Sequence, residues 1–406
     1  MGKPDFHNKK NRLNLKLKRL DENDIGKFRT PLIKRKRGLT KKDIKLITNF
    51  IDDCVSRGIK ESRCLTYCDQ LYNLFSWLPK SISTANKQDI KRVVADIERS
   101  DYSPNTKQSY KVVLKRFYSW LKDDLHPKTT DWIPVNVKRG EKKIPENLLI
   151  PEDVEKIIDS CMNIRDKAFF SLLWESGCRI SELLDLRIKN VVFDEIGGTV
   201  TFPTGKTGSR RIRVIESIPY LNNWLYQHSD KNNKEAHFFV NVGHNKFGKP
   251  MDYRGARSLV SKVTKRAGFE RINPHLFRHS RATFLAKHLT EQQMKVYLGW
   301  TMDSKMASVY VHLSGKDTDG AILGIYGMKE EKKKEQTLNK PIKCKRCDIF
   351  NEPKADFCMK CGIPLTLEVA LKVDAKRKKA DEIMNSLLKD KEIQKVIMQK
   401  VKNVSF

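Results

Sequence analysis

The chain has 406 residues, 39% of them apolar, and its 80 basic against 49 acidic residues give a formal charge of +31. That length and apolar content are enough for two or three cores, and so large a positive excess repels itself unless a polyanion neutralises it, which favours nucleic acid over an ordinary small-molecule substrate. No run of about 18 apolar residues occurs and the first residues are polar and basic, so neither a membrane span nor a secretory signal is expected and the chain reads as cytoplasmic.

Residues 1–39 read as a basic arm; the first 40 residues hold 13 Lys or Arg against 4 Asp or Glu, with LIKRKRG near the end. Such a segment suits a mobile strand following a phosphate backbone, or a solvated tail. From Thr40 the pattern turns helical. Thr40 and Asp43 cap a first helix whose Ile44, Ile47, Phe50, Ile51, Cys54 and Val55 share a stripe. A second helix from about Ser62 turns Leu65, Cys68, Leu71, Tyr72, Phe75 and Leu78 inward and stops at Pro79. A third carries Ile90, Val93, Val94 and Ile97. Ser103 and Pro104 open a fourth, which buries Tyr110, Val113, Leu114, Phe117 and Leu121. Residues 40–125 therefore form an all-α domain, in which Tyr72, Phe75, Phe117 and Trp120 are read as core. Residues 126–147, with Pro127, Pro134, Pro145 and the basic VKRGEKK, form a linker that cannot be one long helix.

Residues 148–328 make a larger, mainly helical domain with a small antiparallel sheet. Pro151, Glu152 and Asp153 begin a helix with favourable dipole chemistry, and an apolar helix through Phe169, Phe170, Leu172, Leu173 and Trp174 runs to Gly177. Arg179 follows that turn, in CRISELLDLR, with Glu182 three residues on; a structural ion pair is the plain alternative for this piece. GGTVTFPTGKTGSRRIRVI reads as strand, turn and strand, with Lys206 in the turn and Ile212 and Val214 on one face opposite the basic residues. Tyr253 to Gly268 is a basic helix. In RINPHLFRHSRATFL, Asn273 and Pro274 open a helix whose free N–H groups point towards an anion, and His275 and Arg278 share one face. YLGW closes a further helix at Gly299 and Trp300, and MASVYVHL carries Tyr310 in an amphipathic run.

HLFRHSRATFL, YLGW and MASVYVHL, with SGCRISELLDLR upstream, resemble the active site of the tyrosine recombinases, the phage-type integrases. The resemblance spans about Leu39 to Gly327, and it implies a core-binding helical domain and a catalytic domain that close around duplex DNA as a clamp. It also implies site-specific recombination, self-association to a tetramer on DNA and a nucleoid-bound location. Arg179 and Arg278 would clamp the phosphate with bidentate guanidiniums. Tyr310 would attack phosphorus, His275 would accept or orient its proton, and Lys206 would protonate the leaving 5′ oxygen. Trp300 stands where many relatives have His and can donate a hydrogen bond but not shuttle protons; Glu182 would support the cluster from behind. His279 and His312 are read as second-layer or merely satisfied histidines. The implied product is a 3′-phosphotyrosine and a free 5′ hydroxyl, formed without ATP or a catalytic metal.

Beyond a charged joint at 329–341, residues 342–366 hold Cys344, Cys347, Cys358 and Cys361 in two C-x-x-C knuckles. Four thiolates so spaced suit one structural zinc with no open position, in a ribbon too small to fold without it, appended as in archaeal members of the family. The other five cysteines are scattered through helices, consistent with a reducing compartment. Residues 367–406 read as an amphipathic helix with Ile393, Ile397, Val401 and Val404 on one stripe, suited to a neighbouring subunit or the chain's own core. Two other functions fit parts of the pattern: a type IB topoisomerase-like enzyme with the same tyrosine chemistry, and a DNA-binding regulator without catalysis.

Overall fold

The computed structural model describes residues 9–21, 33, 36–135, 147–205, 208–270, 272–311, 326, 341–389 and 393. The chain divides into two compact units, Met1–Ile144 and Pro145–Phe406.

The first unit is a helical bundle of α1 (Lys9–Asp21), α2 (Lys41–Ser56), α3 (Glu61–Trp77), α4 (Lys87–Arg99) and α5 (Pro104–Lys122). The cap of α2 is reciprocal: the Thr40 hydroxyl accepts from the Asp43 N–H at 3.2 Å while the Asp43 carboxylate accepts from the Thr40 N–H at 3.0 Å. Asp43 is fully buried and also accepts from Arg37 at 2.5 Å and from the Ser81 hydroxyl at 2.9 Å, so one carboxylate ties three segments together. The core is built on Phe117, whose ring meets Phe75 at 4.9 Å and Phe50 at 5.3 Å in edge-on geometry. Val55, at the end of the α2 stripe, is exposed.

Two boundaries differ from the sequence reading. Residues 9–21 of the expected arm form a helix docked on the bundle, with Leu13 and Leu20 buried and Leu17 packed beside them. Lys16 pairs with Asp69 of α3. Three leucines at helical spacing outweigh the surrounding charge, because lysine and arginine stems reach water from either side of a narrow stripe. Residues 126–135 of the expected linker also belong to the bundle: Pro127, Thr130 and Ile133 are buried, and Gln108 donates to the Val135 carbonyl at 2.6 Å. The basic VKRGEKK lies outside the described residues.

The second unit contains α6 (Pro151–Asp159), α7 (Ile164–Ser176), α8 (Ile180–Leu184), β1 (Val191–Asp194), β2 (Gly197–Gly205), β3 (Gly208–Val214), α9 (Ile218–Gln227), α10 (Tyr253–Arg266), α11 (Pro274–Leu285), α12 (Glu291–Leu298) and α13 (Met306–Val311). The strands form one antiparallel sheet in the order β1-β2-β3, with Val200 opposite both Val191 and Ile212. β1 is an element the sequence reading did not include. The central α7 packs against α6, α9 and α11 and is buried nearly all round, with Phe169, Phe170, Leu172 and Leu173 in the core beside Phe238, Phe239 and Phe277. Its end is set by Gly177 in the left-handed region (φ 53°).

The ribbon strands β4 (Ile342–Lys343) and β5 (Phe350–Asn351) pair antiparallel. The ribbon rests on the core of this unit: Phe350 packs against it, Lys167 of α7 lies 3.4 Å from Glu352, and Lys354 pairs with Glu155 of α6. A helix, Leu367–Lys389, follows and buries none of its residues. The expected stripe of Ile397, Val401 and Val404 lies outside the described residues.

Candidate active site

The site is assembled at the ends of three helices. Arg179 is the N-cap of α8: its backbone N–H donates to Glu182 Oε2 at 3.1 Å and its Nη1 to Oε1 at 2.6 Å. The Glu182 side chain is 2% exposed and that of Arg179 25%, so the carboxylate sits underneath and the guanidinium reaches outwards. A second guanidinium, Arg210 of β3, lies 3.1 Å from Glu182 Oε2. It is buried, with Phe202 under it at 4.7 Å.

Arg278 is buried on α11. Its Nη1 donates to the Gly177 carbonyl at 2.8 Å and its Nη2 to the Leu298 carbonyl at 2.6 Å, while Arg210 Nη1 also donates to Leu298 at 2.9 Å. Both carbonyls lie at helix C-terminal ends, where the backbone is electronegative and lacks intrahelical donors. Gly299, in the left-handed region that ends α12, is required by this packing: a Cβ there would come 2.5 Å from Arg210 Nη1. Burial, then the charges of Arg179 and Arg210, lower the Arg278 pKa to about 10, which leaves it protonated at neutral pH.

The Arg278 guanidinium lies 5.5 Å from the ring centre of Trp300, and Trp300 stacks on Tyr310 with centroids 5.7 Å apart and planes at 9°. Tyr310 is 2% exposed, and burial pushes its phenol up to about 12 against the opposing pull of Arg278. Its hydroxyl lies 2.5 Å from Nδ1 of His279. His275, expected as the proton acceptor, is exposed and has no hydrogen bond to Tyr310. Although the residue is open to solvent on one side, partial desolvation of its ring, then the charges of Arg278 and Arg179, lower its pKa below the ordinary histidine value.

The structure thus brings Arg179, Glu182, Arg278, Trp300 and Tyr310 into one cluster, with His275 beside the two arginines. Lys206 and His312 lie outside the described residues; Gly205 and Gly208, which flank residues 206–207, pair across β2 and β3. Arg210 and His279 are the residues that sequence reasoning underrated. Arg210 had a signal: it shares the parity of Ile212 and Val214, and β3 buries all three. His279 had only its place four residues after His275, and its contact depends on where α13 lands.

In the ribbon the sulfurs of Cys344, Cys347, Cys358 and Cys361 all lie within 4.8 Å of one another, with Cys344 and Cys361 3.6 Å apart and Cys347 and Cys358 3.5 Å apart. Tetrahedral zinc with bonds of about 2.3 Å requires sulfurs about 3.8 Å apart, so the donor set fits. The two knuckles fold alike. Cys344 accepts at its carbonyl from the Asp348 N–H and Cys358 from the Gly362 N–H, with Asp348 and Gly362 both at positive φ.

Residues 147–316 match the phage integrase family. Transposase A from transposon Tn554 of Staphylococcus aureus is 30% identical over 208 residues, 48% of this chain and 57% of that protein, so the chain matches a little over half the length of that relative. Tyrosine recombinase XerC of Lactobacillus delbrueckii subsp. bulgaricus is 28% identical over 209 residues, 50% of this chain and 70% of the relative. The XerH site-specific recombinase bound to palindromic difH substrate shares the fold at a TM-score of 0.52 and 17% identity, over 77% of this chain and 95% of that one. Residues 147–316 therefore form a domain of the phage integrase family.

Proposed function

We propose that the protein is a site-specific DNA recombinase that cuts and rejoins DNA through a 3′-phosphotyrosine. The observation that carries this reading is the stack Arg278–Trp300–Tyr310, in which the phenol feels the charge of Arg278 and Arg278 in turn has Arg179 close by. In-line attack on a phosphodiester gathers negative charge on the non-bridging oxygens of phosphorus, and fixed guanidiniums stabilise that charge without reorganising. Arg179 and Arg278 bind those oxygens, Trp300 positions the phosphate and the phenol, and Glu182 holds Arg179 in place. Lys206 protonates the 5′ oxygen as it leaves, and His275, beside both arginines, takes part in positioning the phosphate. The covalent link conserves the bond energy, so attack by another 5′ hydroxyl reseals DNA without ATP.

The helical unit and the basic residues between the units supply phosphate contacts that hold duplex DNA, and strand exchange requires copies to assemble on it as a tetramer. Cys344, Cys347, Cys358 and Cys361 would hold a structural zinc that folds the ribbon. The test is a nicked suicide duplex drawn from the sequence flanking the native gene, with wild type compared with Tyr310→Phe on a denaturing gel. An adduct formed only by wild type and joined through the 3′ phosphate supports the reading. Specific binding without any adduct favours a silent DNA-binding regulator. Adduct and relaxation on DNA lacking a specific paired site favour a topoisomerase-like enzyme.

A further inference from the structure

We propose that His279 is the base that receives the Tyr310 proton during attack, in place of His275. This rests on the phosphotyrosine reading above. Nδ1 of His279 is the partner of the phenol hydroxyl, at 2.5 Å, and a base must lie within hydrogen-bond reach of the proton it takes. His275 makes no such contact and is exposed. His279 directly follows Arg278 on α11, so the base and one phosphate clamp ride on a single helix and their separation is fixed by its geometry. The Trp300 stack fixes the plane of the phenol ring and leaves rotation of the O–H as its main freedom.

In the forward step the bond from Tyr310 Oη to phosphorus forms and the bond from phosphorus to the 5′ oxygen breaks. The phenolic proton passes to Nδ1, and the 5′ oxygen takes a proton from the general acid, for which Lys206 is proposed above. Rejoining reverses both transfers, with His279 returning its proton to the departing phenolate. Nδ1 can accept only in the tautomer that carries its hydrogen on Nε2. Burial, with His275 and Arg278 close by, favours the neutral ring over the imidazolium.

The experiment is single-turnover adduct formation on the same suicide duplex with the full chain, comparing wild type, His279→Ala, His279→Asn and His275→Asn. Asparagine places an acceptor oxygen near the position of Nδ1, so it preserves the hydrogen bond but cannot take the proton. Both His279 variants are expected to form adduct about 10²–10⁴-fold more slowly, with DNA binding and melting temperature close to wild type. Added imidazoles should restore His279→Ala, the more basic ones faster, and leave His275→Asn unchanged. Wild-type rates in His279→Asn, or faster cleavage in His279→Ala, would overturn the proposal. So would slow, folded His279 variants that no imidazole rescues, since that outcome makes His279 structural. If wild type itself forms no Tyr310 adduct, the phosphotyrosine reading fails instead.

Discussion

Replacing Glu182 with alanine tests the foundation of the proposed anion site. The carboxylate is buried and receives Arg179 at 2.6 Å, the Arg179 N–H at 3.1 Å and Arg210 at 3.1 Å. Its removal leaves two guanidiniums facing each other, one of them buried, with no anion between them. Deleting one partner of a buried ion pair costs about 3–5 kcal/mol, and the lost N-cap contact adds to this. For a unit of this size each kcal/mol lowers Tm by about 2–4 °C, so Glu182→Ala should melt about 6–20 °C below wild type. The deficit should shrink when duplex DNA is added, because a phosphate supplies the missing anion, and the stabilisation by DNA should exceed that of wild type. Thermal melts with and without duplex measure both quantities. A variant melting within 2 °C of wild type, or one gaining no extra stabilisation from DNA, would refute the reasoning.

Arg278→Lys should reduce adduct formation by at least about 10²-fold, since an ammonium lacks the planar fork that lets the guanidinium reach the Gly177 and Leu298 carbonyls and still face a phosphate. Its DNA affinity should change less than about threefold in a titration at fixed salt, because phosphate contacts elsewhere supply most of the binding; a parallel loss of both would contradict the assignment. Burial alone would raise the Asp43 carboxyl, but the Arg37 guanidinium and the hydrogen bonds from Thr40 and Ser81 outweigh it and bring it down to about 2. A depressed folded-state pKa adds stability above the ordinary value of 3.8 and loses it as pH falls towards 2. Circular dichroism of the helical unit should therefore show wild type losing stability across that window and Asp43→Asn, already weaker at pH 7, losing less. Chelating zinc should accelerate hydrogen exchange at the Cys344, Cys358 and Met359 amides and release Phe350 from the core; exchange unchanged by chelation would exclude a metal-held ribbon.

Local chemistry made much of the fold legible. Thr40 with Asp43, Ser103 with Pro104 and Asn273 with Pro274 open helices α2, α5 and α11 because short polar side chains and proline satisfy or remove orphan N–H groups. The two C-x-x-C knuckles were readable for the same reason: their spacing is a local constraint. What escaped was tertiary. In α1 a high charge hid three leucines, and Pro127 and Ile133 resembled linker residues until the bundle closed over them. Arg210 was assigned to the solvent face with its basic neighbours, although its parity placed it with Ile212. The meeting of His279 with Tyr310 depends on the path between α11 and α13, which no spacing within either helix encodes.

Arg179 and Arg210 share Glu182 as their carboxylate, while Arg278 is steadied by the carbonyls of Gly177 and Leu298 and Arg210 by that of Leu298. Dipoles hold a cation in place without cancelling it. The cluster consequently keeps an excess of positive charge, and small tetrahedral oxyanions should rival the DNA phosphate proposed to bind there. Sulfate or phosphate buffer should act as a competitive occupant of the site, distinguishable from general ionic screening because chloride at equal ionic strength would inhibit less. If the proposed reaction holds, the buffer anion is a variable of it and not merely its medium.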